Sequence, residues 1–190
     1  DYGNSKKVLL EFVSANPTGP LTIAHGRQAA VGDALARILK ATGHHVTAEY
    51  YLNDGGRQMN LLGASLWARY RQECGQNVSV PEDGYQGDYL IEIARQLKKI
   101  KKDSLLKEPE DKAVEFCRRF AADEMMKDIE RDLTEVRVHF DNYFKETALY
   151  EKKAIDQVLN FLTDHHHIHE KHGALWPRST VFGDDKDRVV

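Results

Sequence analysis

The sequence predicts an α/β fold in which helices pack on a small parallel sheet, followed by a largely helical insertion. Two apolar segments, 8–13 and 46–52, are separated by a segment with apolar residues at helical spacing. A strand, a helix and a strand in this order form a unit whose two strands are parallel. Several further segments with helical spacing follow, and these predict the insertion.

The first predicted strand, Val8 to Val13, is a near-continuous apolar run that Glu11 interrupts. Such a run is typical of a strand covered on both faces. A carboxylate buried in this way is costly unless it meets a cation or firm hydrogen-bond donors. We therefore expect Glu11 to have a partner, which is either a neighbouring arginine or a cationic group of a ligand.

A turn-rich loop containing Pro17, Gly19 and Pro20 follows, and a helix then begins near Ala24 and ends at Gly43. Apolar residues recur along this helix at Ala29, Ala30, Ala34, Leu35, Ile38 and Leu39. A helix start presents unpaired N–H groups and a positive dipole end, which favour an anion such as phosphate. His25 is placed to donate to phosphate oxygens there. The alternatives are a structural histidine and a Pro/Gly turn without a ligand.

The second predicted strand, Val46 to Leu52, ends in the polar turn Asn53 to Gly56. Ligands of open parallel sheets gather beyond the carboxyl ends of the strands, where both predicted turns fall. The two loops therefore predict a single pocket. Asn53 and Asp54 either cap the next helix or contact the ligand.

The later segments predict helices from Arg57, over Tyr89 to Ile100, after Pro109, and from Ala154. The inward face of the first of these is predicted to carry Met59, Leu62, Leu66 and Tyr70. That of the helix after Pro109 is predicted to carry Ala113, Phe116, Phe120, Met125, Ile129, Leu133 and Val136. We place the first half of a nucleotide-binding domain at 1–84, a helical insertion at 85–172, and a return toward the sheet at 173–190. A strand is expected to begin at Arg188–Val190.

Composition limits the class of protein. The net charge of −3 argues against a surface that coats nucleic acid, and no stretch is long and apolar enough to span a bilayer. Cys74 and Cys117 lack metal-ligand spacing, which favours reduced thiols in the cytoplasm. His165 and His169 could share a helical face within a histidine cluster, but no further ligand set is evident, so we expect no bound structural metal.

Five separated blocks give the chain a resemblance that covers essentially its whole length. They are Ser14–Arg27, Tyr51–Gln58, Gly84–Tyr89, Phe140–Phe144 and Gly183–Arg188. In this order they resemble segments of the arginyl-tRNA synthetases, a class I aminoacyl-tRNA synthetase family. The nucleotide-binding signature of that family corresponds here to Ala15, Asn16, Pro17, Thr18, Gly19, Pro20, Leu21, Thr22, Ile23, Ala24 and His25. Thr22 stands where that family usually has histidine, and Ala24 where it usually has glycine.

The resemblance implies a Rossmann-like catalytic domain that activates arginine with ATP and magnesium and transfers it to tRNA. It implies that Glu11, Ser14 and Asn16 bind arginine, with Glu11 on the guanidinium and Asn16 on the α-amino group. It assigns ATP to Pro17, Gly19, Thr22, Ala24, His25 and Gly26, with Thr22 and His25 as the catalytic pair.

Because the second half of that domain would follow Val190, the chain alone is expected to be inactive. The alternatives are a noncatalytic synthetase-like module that binds tRNA or protein, and a relative that acts on cysteine or glutamate. The charge of Glu11 argues against glutamate as the substrate.

Overall fold

A computed structural model describes residues 2–189 and divides them into two compact units, one ending at Glu146 and the other beginning at Thr147. The first unit contains three strands, four α-helices and one short 3-10 helix. In chain order these are β1 (Lys7–Glu11), α1 (Ile23–Ala41), β2 (His45–Leu52), α2 (Gly56–Glu73), α3 (Tyr89–Lys101), the 3-10 turn Ser104–Lys107, α4 (Glu110–Glu135) and β3 (Asn142–Lys145).

The three strands form one parallel sheet in the order β1, β2, β3. In this register Glu11 lies opposite Glu49, and Glu49 lies opposite Asn142. The predicted strand–helix–strand unit with parallel strands is confirmed. β3 lies inside the segment predicted to be helical, because four residues are too few to show a strand periodicity.

β1 is not covered on both faces, and the prediction of a buried Glu11 is wrong. Exposure alternates along the strand, with Val8 and Leu10 half-buried and Leu9 63% exposed. β1 is an edge strand of the sheet that the described residues form, and its side chains alternate in exposure with a period of two although the sequence there is almost continuously apolar. Glu11 falls on the exposed side of this alternation.

α1 begins within one residue of the predicted position, but it packs with a different face. The buried residues are Ala29, Gly32 and Ala36, while Leu35 and Ile38 are 43% and 60% exposed. A Cβ at position 32 would lie 2.2 Å from Cγ of Phe12, so the helix approaches β1 where glycine leaves room. Close approach to the strand, rather than side-chain size, determines which face of α1 is inside.

α2, α3 and α4 form a helical layer with an apolar core of its own. The predicted inward residues of α2 are all buried: Met59, Leu62, Leu66 and Tyr70. Leu90 and Leu97 of α3 and Ala113, Cys117, Ala121 and Met125 of α4 complete this core. Phe116 and Phe120, which were predicted to line the inward face of α4, lie half-buried at its margin.

α4 connects the helical layer to the sheet. Beyond Met125 its buried residues Ile129 and Leu133 pack in a second core with Val13, Tyr50 and Leu52. A helix of 26 residues is about 39 Å long, which allows one element to serve both cores. The loop after β1 is therefore fixed through Val13, which packs against the sheet and against the C-terminal part of α4.

The second unit contains α5 (Thr147–Glu151), α6 (Ala154–Asp164), β4 (Ile168–Lys171), β5 (Ala174–Pro177) and the 3-10 turn Ser179–Phe182. α6 begins at the predicted residue. β4 and β5 form an antiparallel hairpin. The segment 174–177 therefore does not join the parallel sheet, although a return toward that sheet was expected for 173–190. Arg188 and Val189 form no strand, and Arg188 instead pairs with Asp184 at 2.9 Å. Val190, the end of that predicted strand, lies outside the described residues.

Cys74 and Cys117 are both free thiols, and burial raises the pKa of Cys117 to about 12. Among residues 2–189, no helix combines the length and apolar character needed to cross a membrane.

Candidate ligand site at the carboxyl ends of the first two strands

The loop after β1 leaves the sheet through two residues in a strained conformation. Val13 and Ser14 have φ values of +65° and +42°, in the left-handed region that a β-branched residue such as valine rarely adopts. Such a conformation costs on the order of 1–3 kcal/mol and persists where the surroundings over-determine it. Here the buried Val13 side chain anchors the turn in the core, and Ser14 is held by hydrogen bonds. Strain of this kind concentrates at functional sites.

Two hydrogen bonds through Ser14 fix the carboxylate of Glu11. The Ser14 hydroxyl donates to Oε1 of Glu11 at 2.8 Å and accepts from the backbone N–H of Tyr51 at 3.0 Å. The Tyr51 N–H therefore orients the hydroxyl so that its proton points at the carboxylate. The structure thus brings together Glu11 and Ser14, both of which were predicted to bind the ligand. The Glu11 side chain is exposed, and its carboxylate is held in one orientation by Ser14.

Two further contacts hold the next residues of the loop. The hydroxyl of the buried Tyr50 donates to the carbonyl of Ala15 at 2.7 Å, and burial raises the pKa of Tyr50. Nδ2 of Asn16 donates to Oε1 of Gln58 at 2.7 Å. Asn16 is thus oriented by the first turns of α2, and its own Oδ1 remains as an acceptor.

His25 is held in one tautomer at the start of α1. Its Nδ1 accepts from the backbone N–H of Thr22 at 3.1 Å and lies 3.2 Å from the Thr22 hydroxyl. A neutral imidazole that accepts at Nδ1 carries its proton on Nε2. Thr22 is the N-cap residue of α1, so His25 places an Nε2–H donor beside the N–H groups of the first helical turn.

Neither Asn53 nor Asp54 caps α2, because the N-cap residue is Gly55. With its amide oriented to satisfy both atoms, Asn53 donates to Glu146 at 2.7 Å. Arg118 of α4 donates through Nη1 to the backbone carbonyl of Asp54 at 2.9 Å. Glu115 holds Arg118 in turn, and this arginine is the main reason that the pKa of Glu115 lies at about 2.

An open groove of about 960 Å³ runs between β1 and α1. Its walls are mainly apolar, with Leu10, Phe12, Val31 and Leu35 among them, and its polar residues are Glu11, Ser14, Arg27 and Gln28. Glu11, Ser14, Ile23 and Ala24 of the predicted site line this groove. Asn16, Pro17, Gly19, Thr22, His25 and Gly26 are not among its lining residues. Asn16 contacts α2, the Thr18 carbonyl contacts α3, and Thr22, His25 and Gly26 lie at the N-cap and in the first turn of α1.

Four residues that support the site had no role in the sequence-based prediction. They are Tyr50 and Gln58, which hold the loop, Arg27, which lines the groove, and Arg118, which holds Asp54. Gln58 belongs to the Tyr51–Gln58 block and Arg27 to the Ser14–Arg27 block, so both had a signal in the resemblance. Tyr50 and Arg118 are brought to the site by the fold from positions that look like ordinary strand and helix residues.

The histidine cluster does not form the helical face that was suggested for it. α6 ends at Asp164, so His165 follows its last residue while His169 lies on β4. Nδ1 of His165 contacts the carbonyl of Phe161 at 2.8 Å. Within the described ranges, no group of three or more metal-ligating side chains converges here or elsewhere.

The chain is similar to known proteins over its whole length. A family model described as the catalytic domain of class I tRNA synthetases (R) matches residues 1–190. An arginine–tRNA ligase from Solidesulfovibrio magneticus is 47% identical over 190 residues, covering 100% of this chain and 34% of that protein. One from Desulfosudis oleivorans is 48% identical, with the same coverage. The chain therefore spans about a third of the length of these curated relatives.

A solved structure has the same fold. The provisionally named arginyl-tRNA synthetase of Campylobacter jejuni is 34% identical, with a TM-score of 0.87 over 99% of this chain and 41% of that one. The α/β architecture and the parallel sheet predicted from the sequence are those of this class I catalytic domain.

Proposed function

This chain belongs to the family of class I tRNA synthetase (R) catalytic domains, and we propose that it supplies the amino-acid and phosphate subsites of an arginine–tRNA ligase. The observation that carries the proposal is the arrangement of Glu11, Ser14 and Tyr51 beside the start of α1. The Glu11 carboxylate lines the same groove as Ile23 and Ala24, the first two residues of a helix whose N-terminus favours phosphate.

Glu11 is proposed to pair with the guanidinium of arginine. A carboxylate accepts two parallel N–H bonds from a guanidinium, a geometry that a lysine ammonium does not reproduce. The Ser14 hydroxyl occupies one lone pair of Oε1, which leaves Oε2 and the second lone pair of Oε1 for the ligand. Asn16, oriented by Gln58, is proposed to bind the α-amino group through its free oxygen.

The first turn of α1 is proposed to bind the phosphates of ATP. The Nε2–H of His25 and the N–H groups of this turn are donors on one side of the loop, where the helix dipole adds a positive potential. Pro17, Gly19, Ala24 and Gly26 complete the proposed ATP subsite with small or rigid residues. Magnesium is proposed to arrive with ATP and to share the charge of its phosphates.

The proposed reaction needs no covalent bond to the protein. A carboxylate oxygen of arginine attacks the α-phosphorus of ATP, the bond to the β-phosphate breaks, and pyrophosphate leaves with the electron pair. A hydroxyl of the terminal adenosine of tRNA then attacks the carbonyl carbon of the adenylate and expels AMP. The residues of this chain act by holding the two substrates in line and by stabilising charge at the phosphates.

The proposal is tested by replacing Glu11 with glutamine in a full-length protein that carries this chain. Glutamine keeps an acceptor for Ser14 but removes the charge, so kcat/KM for arginine in tRNA charging should fall by about 100-fold or more. Glu49→Gln is the matched control, because Glu49 lies opposite Glu11 on β2 but accepts from Asn142.

Normal charging by Glu11→Gln would contradict the assignment of this subsite. Saturable charging with cysteine, and none with arginine, would move the function to another class I ligase. If the unmodified protein binds tRNA without ATP turnover, a noncatalytic tRNA-binding module replaces the enzyme as the function.

A further inference from the structure

The motif Gly84–Tyr89 has no part in the function proposed so far, although the sequence marks it with two glycines and two tyrosines. Tyr89 is the first residue of α3, and its ring is half-buried. Its hydroxyl donates to the backbone carbonyl of Thr18 at 2.6 Å. Burial raises the pKa of Tyr89 to about 12, so the hydroxyl is protonated and is a donor at neutral pH. The helical layer therefore contacts the loop that joins β1 to α1.

The glycines explain how this tyrosine fits. A Cβ at position 87 would lie 2.3 Å from Cε1 of Tyr89, which no real side chain tolerates. At position 19 a Cβ would lie 3.5 Å from the Tyr89 hydroxyl, an ordinary contact distance. The ring therefore rests directly on the backbone of Gly87, with its hydroxyl end against Gly19. Both neighbours fix the position of the ring.

The bond to Thr18 determines where the next N–H group points. In a trans peptide the C=O and the following N–H point in opposite directions, and the protein has no cis peptide among its described residues. Since the Thr18 carbonyl faces Tyr89, the Gly19 N–H faces away from it. Within residues 2–189 the Gly19 N–H donates to no backbone carbonyl in a turn or loop. It is a backbone donor set in a fixed direction, three residues before Thr22, the N-cap of the helix at which the phosphate subsite is proposed.

We propose that Tyr89 is a positioning residue for ATP, which holds the Thr18–Gly19 peptide so that the Gly19 N–H donates to the nucleotide. The inference rests on the proposed function, which identifies ATP as a substrate. It differs from the roles of Tyr50 and Gln58, which hold Ala15 and Asn16 on the amino-acid side of the loop. Tyr89 thus makes ATP binding depend on the helical layer, through a single hydroxyl.

The test is Tyr89→Phe in a full-length protein carrying this chain, which removes one oxygen and keeps the ring. We expect the dissociation constant for the non-reacting analogue α,β-methylene ATP to rise about three- to tenfold, as expected for one lost hydrogen bond. The KM for ATP in tRNA charging should rise in parallel, while the KM for arginine changes less than twofold. The midpoint of thermal unfolding should stay within about 2 °C of the parent value.

Tyr85→Phe is the matched control. Tyr85 belongs to the same motif, and its contact with Ser65 uses the backbone N–H, which the substitution preserves. Gly87→Ala is a second variant, since a methyl group there displaces the Tyr89 ring and should weaken the analogue at least as much as Tyr89→Phe. In the background of Tyr89→Phe, Gly87→Ala should then add little to the loss.

Unchanged analogue binding in Tyr89→Phe, or an equal change in Tyr85→Phe, would overturn the inference. An equal rise in the KM values for ATP and arginine would also overturn it, because that is the result of a general structural defect. If the parent protein binds the analogue but does not charge arginine, the proposed function fails while the binding comparison still decides the role of Tyr89. A parent protein that does not bind the analogue overturns both.

Discussion

The Glu11 carboxylate owes its position to two hydrogen bonds and not to burial. Ser14 connects it to the backbone of β2, and the strained turn at Val13 and Ser14 places that hydroxyl within reach. An ion pair formed by an exposed carboxylate is weak unless its geometry is fixed, because water screens the charges. We infer that Glu11 differs from the neighbouring Glu49 because Ser14 fixes the direction of its carboxylate. Glu49 instead accepts a hydrogen bond from Asn142.

Tyr50→Phe should lower the free energy of unfolding by about 1–3 kcal/mol, because it leaves the Ala15 carbonyl without its donor in a buried setting. Urea unfolding measures this change. Tyr143→Phe is the control, since Tyr143 packs beside Tyr50 in the same aromatic cluster with ring centroids 5.4 Å apart. Equal losses in the two variants would show that the ring environment, and not the bond to Ala15, sets the stability.

Sequence reasoning located the loop but gave the wrong reason for Glu11. The apolar run from Val8 to Val13 looks continuous, and only the strand order shows that its alternate side chains are exposed. The alternative in which Asn53 and Asp54 cap the next helix is wrong for a similar reason, since Arg118 and Glu146 reach this turn from distant parts of the chain. Long-range partners of this kind leave no local periodicity or turn signal.

At the scale of elements, α4 was the most predictable helix in its extent and the least predictable in its role. Of the residues that its spacing predicted to face inward, Ala113, Met125, Ile129 and Leu133 are buried, while Val136 is 64% exposed. It did not indicate that the same helix joins two cores and supports the turn after β2. α1 shows the opposite outcome, because its start was predicted while, of its buried residues Ala29, Gly32 and Ala36, only Ala29 was. Gly32 has no side chain to mark it as an inward residue.

The Arg118–Glu115 pair on α4 should make stability depend on acid. The arginine holds the folded pKa of Glu115 at about 2, below its ordinary value of 4.5. A lowered folded pKa gives stability that is present above pH 4.5 and is lost as the pH falls toward 2. Glu115→Gln should therefore lose less stability than the parent protein between pH 5 and pH 3, as measured by urea unfolding.

Asp123→Asn is the control for this helix, because Asp123 is exposed and makes no ion pair within the described part of the chain. It should keep the acid dependence of the parent protein. An unchanged dependence in Glu115→Gln would mean that other carboxylates account for the acid loss.

At the scale of the molecule, the first unit of the described residues combines a three-stranded sheet, a loop and a helical layer, and the chain spans about a third of the length of the curated relatives it matches. Its loop is held from three directions, by Tyr50 of the sheet, Gln58 of α2 and Tyr89 of α3. The two proposed subsites lie on consecutive stretches of this loop. A substitution that loosens the contact of the sheet or of the helical layer with the loop should therefore weaken substrate binding before it unfolds the protein.

The most direct test of the central claim compares arginine with citrulline, which has the same shape but a neutral urea group in place of the guanidinium. In tRNA charging by a full-length protein that carries this chain, we expect kcat/KM to be at least about 100-fold higher for arginine, because Glu11 recognises the charge. Glu11→Gln should reduce this preference to less than about tenfold. A parent protein that charges both amino acids equally, or that prefers cysteine to either, would contradict the account.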